Sequence, residues 1–258
     1  MANLEQKCRN EISDEVKTVI VTGASKGIGR ITAEVFARHE YNVLINSNRS
    51  EKEGITLFDS LKKEGFSVRH FKADVSKRTE VDAMMRFCVN EFGTINVLVN
   101  NAGICQEKLF TDITDEDWEE MLNINLKSSF YCTQESLKYM IPQKKGKIIN
   151  VSSIWGMVGA SCEAHYSAAK AGMIGLTKAL AKELGPSNIQ VNCIAPGIVQ
   201  TDMLSSYTQE QLNILQEDTP LRRLGNPMDI AMSIFFLASH HADFITGQII
   251  SPNGGFVI

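Results

Sequence analysis

Seven short strand-like runs, most of them dense in Val and Ile, alternate with helical stretches from one end of this chain to the other. No other feature restricts the fold as much. The runs occupy residues 17–22 (KTVIVT), 42–47 (NVLINS), 67–72, 95–100 (INVLVN), 147–151 (KIINV), 189–194 (IQVNCI) and 248–251. Between them, helices are expected at 27–39, 51–63, 77–92 and 115–141, then in a segment that carries Tyr166 and runs to about Leu184, and finally at 208–217 and 228–239. Strands that are nearly continuous in apolar residues must be covered on both faces, and helices between successive strands supply that cover. The expected architecture is α/β: one doubly wound parallel sheet of about seven strands with helices on both faces. There is no internal repeat, low-complexity tract or linker, so residues 16–258 read as one domain and residues 1–15 as an N-terminal extension.

Bulk properties exclude several classes. The chain has 258 residues, 43% hydrophobic and 22% charged, with a net charge of -4, which is ordinary for a globular protein and gives no electrostatic reason for nucleic-acid binding. The polar N-terminus lacks the apolar core of a signal peptide, and no window is apolar enough to span a membrane. Six scattered cysteines, with no paired motif, read as reduced thiols of a cytoplasmic protein, and no cluster suggests a metal.

The first strand runs directly into Thr22-Gly23-Ala24-Ser25-Lys26-Gly27-Ile28-Gly29, and a helix follows. Glycines between a strand and a helix let the backbone turn tightly and approach a pyrophosphate, which the free N–H groups of the helix start attract. This is the Rossmann-type solution, and it calls for a dinucleotide. An NAD-specific site needs an acid at the end of the second strand, but Asn46-Ser47-Asn48-Arg49-Ser50 offers none. Lys26 and Arg49 could instead reach a 2′-phosphate, which points to NADP(H).

Downstream, Ser153 precedes Tyr166 by thirteen residues, and Lys170 follows four later. On a helix, Tyr166 and Lys170 are neighbours. A nearby ammonium favours phenolate and should bring the phenol's pKa down from about 10. A serine hydroxyl aimed at the same point could hold a carbonyl oxygen while the tyrosine protonates it.

With TGASKGIG, the NNAG of residues 100–103 and this Ser/Tyr/Lys set, the chain resembles the short-chain dehydrogenase/reductase family over essentially everything after residue 15. The resemblance implies a ketone/alcohol oxidoreductase in which Asn125 joins Ser153, Tyr166 and Lys170 by holding a water that relays protons to the lysine. It implies that Asp74 and Val75 lie at the adenine, that Asn100, Asn101, Ala102 and Gly103 line the cofactor groove, and that Pro196, Gly197, Val199 and Thr201 hold the nicotinamide end. Residues 203–224 are expected to close over substrate, and the helices bearing Asn125 and Tyr166 to pair copies into a homodimer or homotetramer. Within the family the chain looks most like the 3-oxoacyl-[acyl-carrier-protein] reductases, although the second of their two basic docking positions falls on Ser187 here, the first being Lys144. The stretch between serine and tyrosine, SSIWG followed by GASCE, also resembles reductases that act on a 5-aminopentanone group carried by elongation factor P. In that case Trp155 and Glu163 would shape the pocket, with Glu163 pairing with the amine. A silent NADP(H) sensor is the non-enzymatic alternative, and the intact Ser153, Tyr166, Lys170 and Asn125 argue against it.

Overall fold

The computed structural model describes residues 16–205 and 207–258; the extension assigned to residues 1–15 lies outside the described residues. Strands β1 (Thr18–Val21), β2 (Asn42–Ser47), β3 (Val68–Lys72), β4 (Val97–Asn100), β5 (Gly146–Val151), β6 (Ile189–Ile194) and β7 (Ile249–Ile250) form a seven-stranded sheet in the order β3-β2-β1-β4-β5-β6-β7. Every pairing is parallel, with Val19 opposite both Val43 and Val97, and Asn100 opposite Asn150. All four residues of β1 and of β4 are buried, because each of these central strands has strands on both edges and helices on both faces.

The helices are α1 (Gly27–Arg38), α2 (Glu51–Lys63), α3 (Arg78–Phe92), α4 (Asp115–Leu122), α5 (Ser128–Gln143), the short α6 (Trp155–Val158), α7 (Ala164–Leu184), α8 (Gln209–Asp218) and α9 (Pro227–Ala238). Their starts follow local chemistry. Thr114 and Asn226 cap α4 and α9 through reciprocal hydrogen bonds with Asp117 and Asp229, and Pro227 opens α9 without losing a needed N–H. Gly93, at φ +81°, ends α3. One core lies on each face of the sheet. On one, Phe36 of α1 and Ile234 and Leu237 of α9 pack on β1 and β2; on the other, Met84 and Cys88 of α3 and Met140 of α5 pack on β1, β4 and β5.

Two features depart from the expected elements. The single long helix expected at 115–141 contains a π-helical turn at Asn123–Lys127 between α4 and α5. An extra short helix, α6, also interrupts the loop between Ser153 and Tyr166. The strand order reverses between β1 and β4: β2 and β3 extend one way from β1, and β5 to β7 the other. A crevice at the carboxyl ends of the strands opens at such a switch point.

Candidate active site

Two adjoining cavities occupy that crevice. One, of about 1160 Å³, follows the glycine loop and is bounded by Gly23, Ser25, Lys26, Gly27, Ile28 and Gly29, by Ser47 to Ser50, by Asp74 and Val75, and by Asn101, Ala102 and Gly103. The other, of about 970 Å³, contains Asn125, Ser153, Trp155, Glu163, Tyr166, Lys170, Pro196, Gly197 and Val199. Ile28, Asn101, Gly103, Thr201 and Met203 border both, so a ligand can extend from one into the other. Every catalytic, cofactor and substrate-pocket residue named from the sequence borders one cavity or the other, with a single exception. Asn100 is buried at the end of β4, donating to Asn150 Oδ1 of β5 at 2.9 Å and Thr133 Oγ1 of α5 at 3.1 Å, so it ties the central strands to α5 and does not line the groove.

The glycine loop is held open from behind. Thr22 Oγ1 accepts the backbone N–H groups of Asn101 and Ala102, each at 3.0 Å, and Asn101 Nδ2 donates to the carbonyls of Thr22 and Gly23. This contact leaves no room for a side chain. A Cβ on Gly23 would sit 2.8 Å from Ala102 Cα, and one on Gly29 only 2.3 Å from Asn101 Nδ2. Gly23 also sits at φ +62°, where other residues are strained. The Lys26 side chain at the start of α1 makes no capping hydrogen bond, which suits the first N–H groups of the helix to a phosphate at the glycine loop. Both cations expected near a 2′-phosphate are already paired: Lys26 with Glu53 at 3.1 Å and Asp202 at 3.4 Å, and Arg49 with Glu120.

In the second cavity, β5 ends at Val151 and delivers Ser152 and Ser153, while α7 delivers Tyr166 and Lys170 one turn apart. Ser152 Oγ donates to the Lys170 carbonyl at 2.8 Å and fastens α7 to the strand end, whereas Ser153 Oγ accepts the short-range Trp155 N–H at 3.1 Å. Ser152 is thus engaged in fastening the helix to the strand end, and Ser153 is not. Asn125 sits in the π-helical turn, fully buried, where it exchanges two hydrogen bonds with the backbone of Ile104 (3.0 and 3.2 Å) and donates to Met121 O at 3.0 Å. Turns of this kind recur at functional sites, and this one fastens the long helix to the loop that follows β4.

One electrostatic expectation fails. The spacing predicts that Lys170 brings down the pKa of Tyr166, but burial pushes the phenol well above its ordinary value. Cys105 and Glu163 push the same way, and only the Ser153 hydroxyl pulls it back. The Lys170 ammonium lies 5.6 Å from the centre of the Tyr166 ring and donates to Val151 O at 2.9 Å. Burial lowers its own pKa from 10.5 to about 8. The phenol is thus held protonated, as a proton donor must be, and the buried ammonium is short of charged partners.

Sequence reasoning missed part of the wall. Cys105 and Glu107, from the loop after β4, line the cavity, together with Tyr207 and Leu215 of the segment expected to close over substrate. Tyr207 OH donates to Glu107 Oε1 at 2.5 Å, and Cys105 Sγ donates to Glu163 Oε2 at 3.4 Å. The carboxyl of Glu163 is raised in pKa by burial, and the Cys105 thiol is pushed up to about 12 by burial. A loop that follows β4 at the switch point was the available signal. Lys144 and Ser187, the expected docking positions, sit just before β5 and β6, at the amino ends of strands whose carboxyl ends face the cavities.

Residues 17–212 match the short chain dehydrogenase family. The chain belongs to that family. As a short-chain dehydrogenase it is a nicotinamide-dependent oxidoreductase acting on CH–OH groups, with the family's single α/β domain. It is 41% identical over 239 residues to a 3-oxoacyl-[acyl-carrier-protein] reductase of Staphylococcus aureus, a match that covers 93% of this chain and 97% of that protein. The proteins of the same name from Chlamydia muridarum and Aquifex aeolicus are 42% and 39% identical, covering 93% and 95% of this chain and 96% and 99% of theirs. A crystal structure from Agrobacterium tumefaciens, assigned as a gluconate dehydrogenase, superposes with a TM-score of 0.89 at 32% identity, covering 94% of this chain and 97% of that one. Among the described residues, no helix of this short-chain dehydrogenase is long and apolar enough to cross a membrane, and no cluster of His, Cys, Asp or Glu could hold a metal ion.

Proposed function

We propose that this enzyme uses NADPH to reduce a ketone carried on a protein, most readily a 3-oxoacyl group on acyl carrier protein, to the corresponding alcohol. The observation that carries the reading is the meeting of Asn125, Ser153, Tyr166 and Lys170 in a cavity continuous with the glycine-loop groove. The relatives at about 41% identity supply the substrate class. Bound NADPH supplies the hydride, from C4 of its nicotinamide. Ser153 donates a hydrogen bond to the substrate carbonyl oxygen, and Tyr166 donates the proton that the new alkoxide oxygen takes up. Lys170 receives a proton from solvent by way of water at Asn125 and returns it to Tyr166. The uncapped start of α1 and Gly23, Gly27 and Gly29 suit the pyrophosphate. Asp74 and Val75 would hold the adenine, Ser25, Ile28, Asn101, Ala102 and Gly103 form the groove wall, and Pro196, Gly197, Val199 and Thr201 would hold the nicotinamide. Lys26 and Arg49, with no acid at the end of β2, suit a 2′-phosphate better than a free ribose. A cytoplasmic homodimer or homotetramer fits the family resemblance.

A second substrate has one observation in its favour. Glu107 and Glu163 line the cavity, and neither is ion-paired among the described residues. An acyl chain gains nothing from two carboxylates, whereas a ketone ending in an ammonium, such as 5-aminopentanone on a lysine of elongation factor P, would neutralise them. Steady-state NADPH oxidation separates the readings. An acetoacetyl thioester should turn over well with NADPH and poorly with NADH. A faster rate on a 5-aminopentanone-modified peptide, lost in Glu163→Gln, would shift the assignment to the cationic ketone. Tight NADPH binding without turnover on either would point to a sensor.

A further inference from the structure

Lys26 stands where the two halves of the cofactor groove meet the segment that follows β6. It is the residue before α1, in the glycine loop, yet its ammonium spans outward to Glu53 of α2 at 3.1 Å and to Asp202 at 3.4 Å. Glu53 belongs to the helix that begins at the adenosine end of the groove. Asp202 opens the single helical turn Asp202–Leu204, which follows Thr201 at the junction of the two cavities. One side chain therefore ties the helix at one end of the groove to the turn at the junction of the two cavities. All three side chains are well exposed, at 43%, 44% and 75%, and pairs between exposed charges are individually weak. A phosphate dianion in the same groove carries more charge than either carboxylate and can take the ammonium from both.

Resting on the NADPH reading above, we propose that Glu53 and Asp202 determine cofactor discrimination, as counter-charges that a 2′-phosphate must displace from Lys26, and that displacing Asp202 frees the turn bordering the substrate cavity. Binding of a dinucleotide lacking the 2′-phosphate leaves Lys26 on its carboxylates and the turn tethered. Arg49, held by Glu120, sets up the same exchange at the outer edge of the groove. The discrimination is thus weaker than the cations alone would give. It also carries a structural consequence at Met203 and Leu204, which line the substrate cavity.

The probes are adenosine 2′,5′-bisphosphate and adenosine 5′-monophosphate, which differ only in the 2′-phosphate. Titration calorimetry gives their affinities. Hydrogen exchange reads the turn through the Leu204 and Ser205 amides, which bond to the carbonyls of Thr201 and Asp202 at 3.0 and 3.1 Å. In the wild type, the bisphosphate should bind more tightly than the monophosphate and speed exchange at these amides, and the monophosphate should not. Glu53→Gln and Asp202→Asn should each tighten the bisphosphate by about two- to fivefold, the value of an exposed ion pair, and leave the monophosphate unchanged. Asp202→Asn alone should already show fast exchange without ligand. If the bisphosphate binds more tightly but neither variant changes the ratio, or exchange at the turn is unmoved, the proposal is wrong and the NADPH reading stands. If the wild type does not distinguish the two probes, the NADPH reading fails and the proposal fails with it.

Discussion

Tyr166→Phe is expected to lower kcat for ketone reduction by about 10²–10⁴-fold, the usual worth of a positioned proton donor, while leaving dinucleotide affinity nearly unchanged. The substitution removes one oxygen from a side chain that is only 8% exposed and leaves the ring in its contacts with Met121 and Ala169. The fold should therefore survive, and the loss can be read as chemistry. The direction of the tyrosine's pKa sharpens the expectation. Because burial keeps the phenol protonated, reduction should proceed at neutral pH without the lysine first adjusting the tyrosine, whereas the reverse oxidation needs phenolate and should gain with rising pH. Steady-state rates in both directions across pH 6 to 10, for wild type and variant, check this. A Tyr166→Phe enzyme with most of its turnover would remove the tyrosine from the mechanism.

Lys170→Met should separate stability from activity. Lys170 is 4% exposed, and burial holds its pKa at about 8 against 10.5 for a free lysine. Below pH 8 both folded and unfolded chains carry the charge, and the folded state bears the whole cost of burying it. Between pH 8 and 10.5 the folded chain gives up its proton first, so this cost fades and the wild type gains stability with rising pH. A displacement of that size corresponds to roughly 3 kcal/mol. Losing the hydrogen bond to Val151 O offsets about 1–2 kcal/mol of it. Lys170→Met should therefore be more stable than wild type at pH 7 by on the order of 1–2 kcal/mol, lose that advantage by about pH 10, and be nearly inactive at both. Urea denaturation of the cofactor-free proteins at the two pH values measures this. A variant less stable at pH 7, or a difference that does not vary with pH, would show that the ammonium is not buried at a cost. Sites that hold a poorly solvated charge for chemistry are where activity and stability trade against each other.

Much of the fold could be read from the chain because its strands are short, apolar and regularly separated. The runs at 42–47 and 189–194 coincide with β2 and β6, and the helix expected at 51–63 coincides with α2. The π-helical turn at Asn125 was not legible. It differs from an α-helical turn by one residue of hydrogen-bond register, and nothing in INL or its flanks has a propensity that marks the difference. Nor could the sequence show where the cations point. Lys26 and Arg49 were read by their positive charge alone, but their carboxylate partners Glu53, Asp202 and Glu120 come from three other segments. Lys170 failed for a related reason. The four-residue spacing from Tyr166 put the two side chains on one helix face, but the ammonium's direction is set by the Val151 carbonyl at the end of β5, which spacing along α7 cannot reveal.

The most direct test of the central claim follows one hydrogen atom. Wild-type enzyme is given NADPH with deuterium at both C4 positions of the nicotinamide and a 3-oxoacyl thioester, and the product is examined by mass spectrometry. The mechanism requires a 3-hydroxyacyl thioester with one deuterium on the carbinol carbon, formed at a rate that falls steeply in Tyr166→Phe. An alcohol without deuterium, or equal rates from the two proteins, would contradict it.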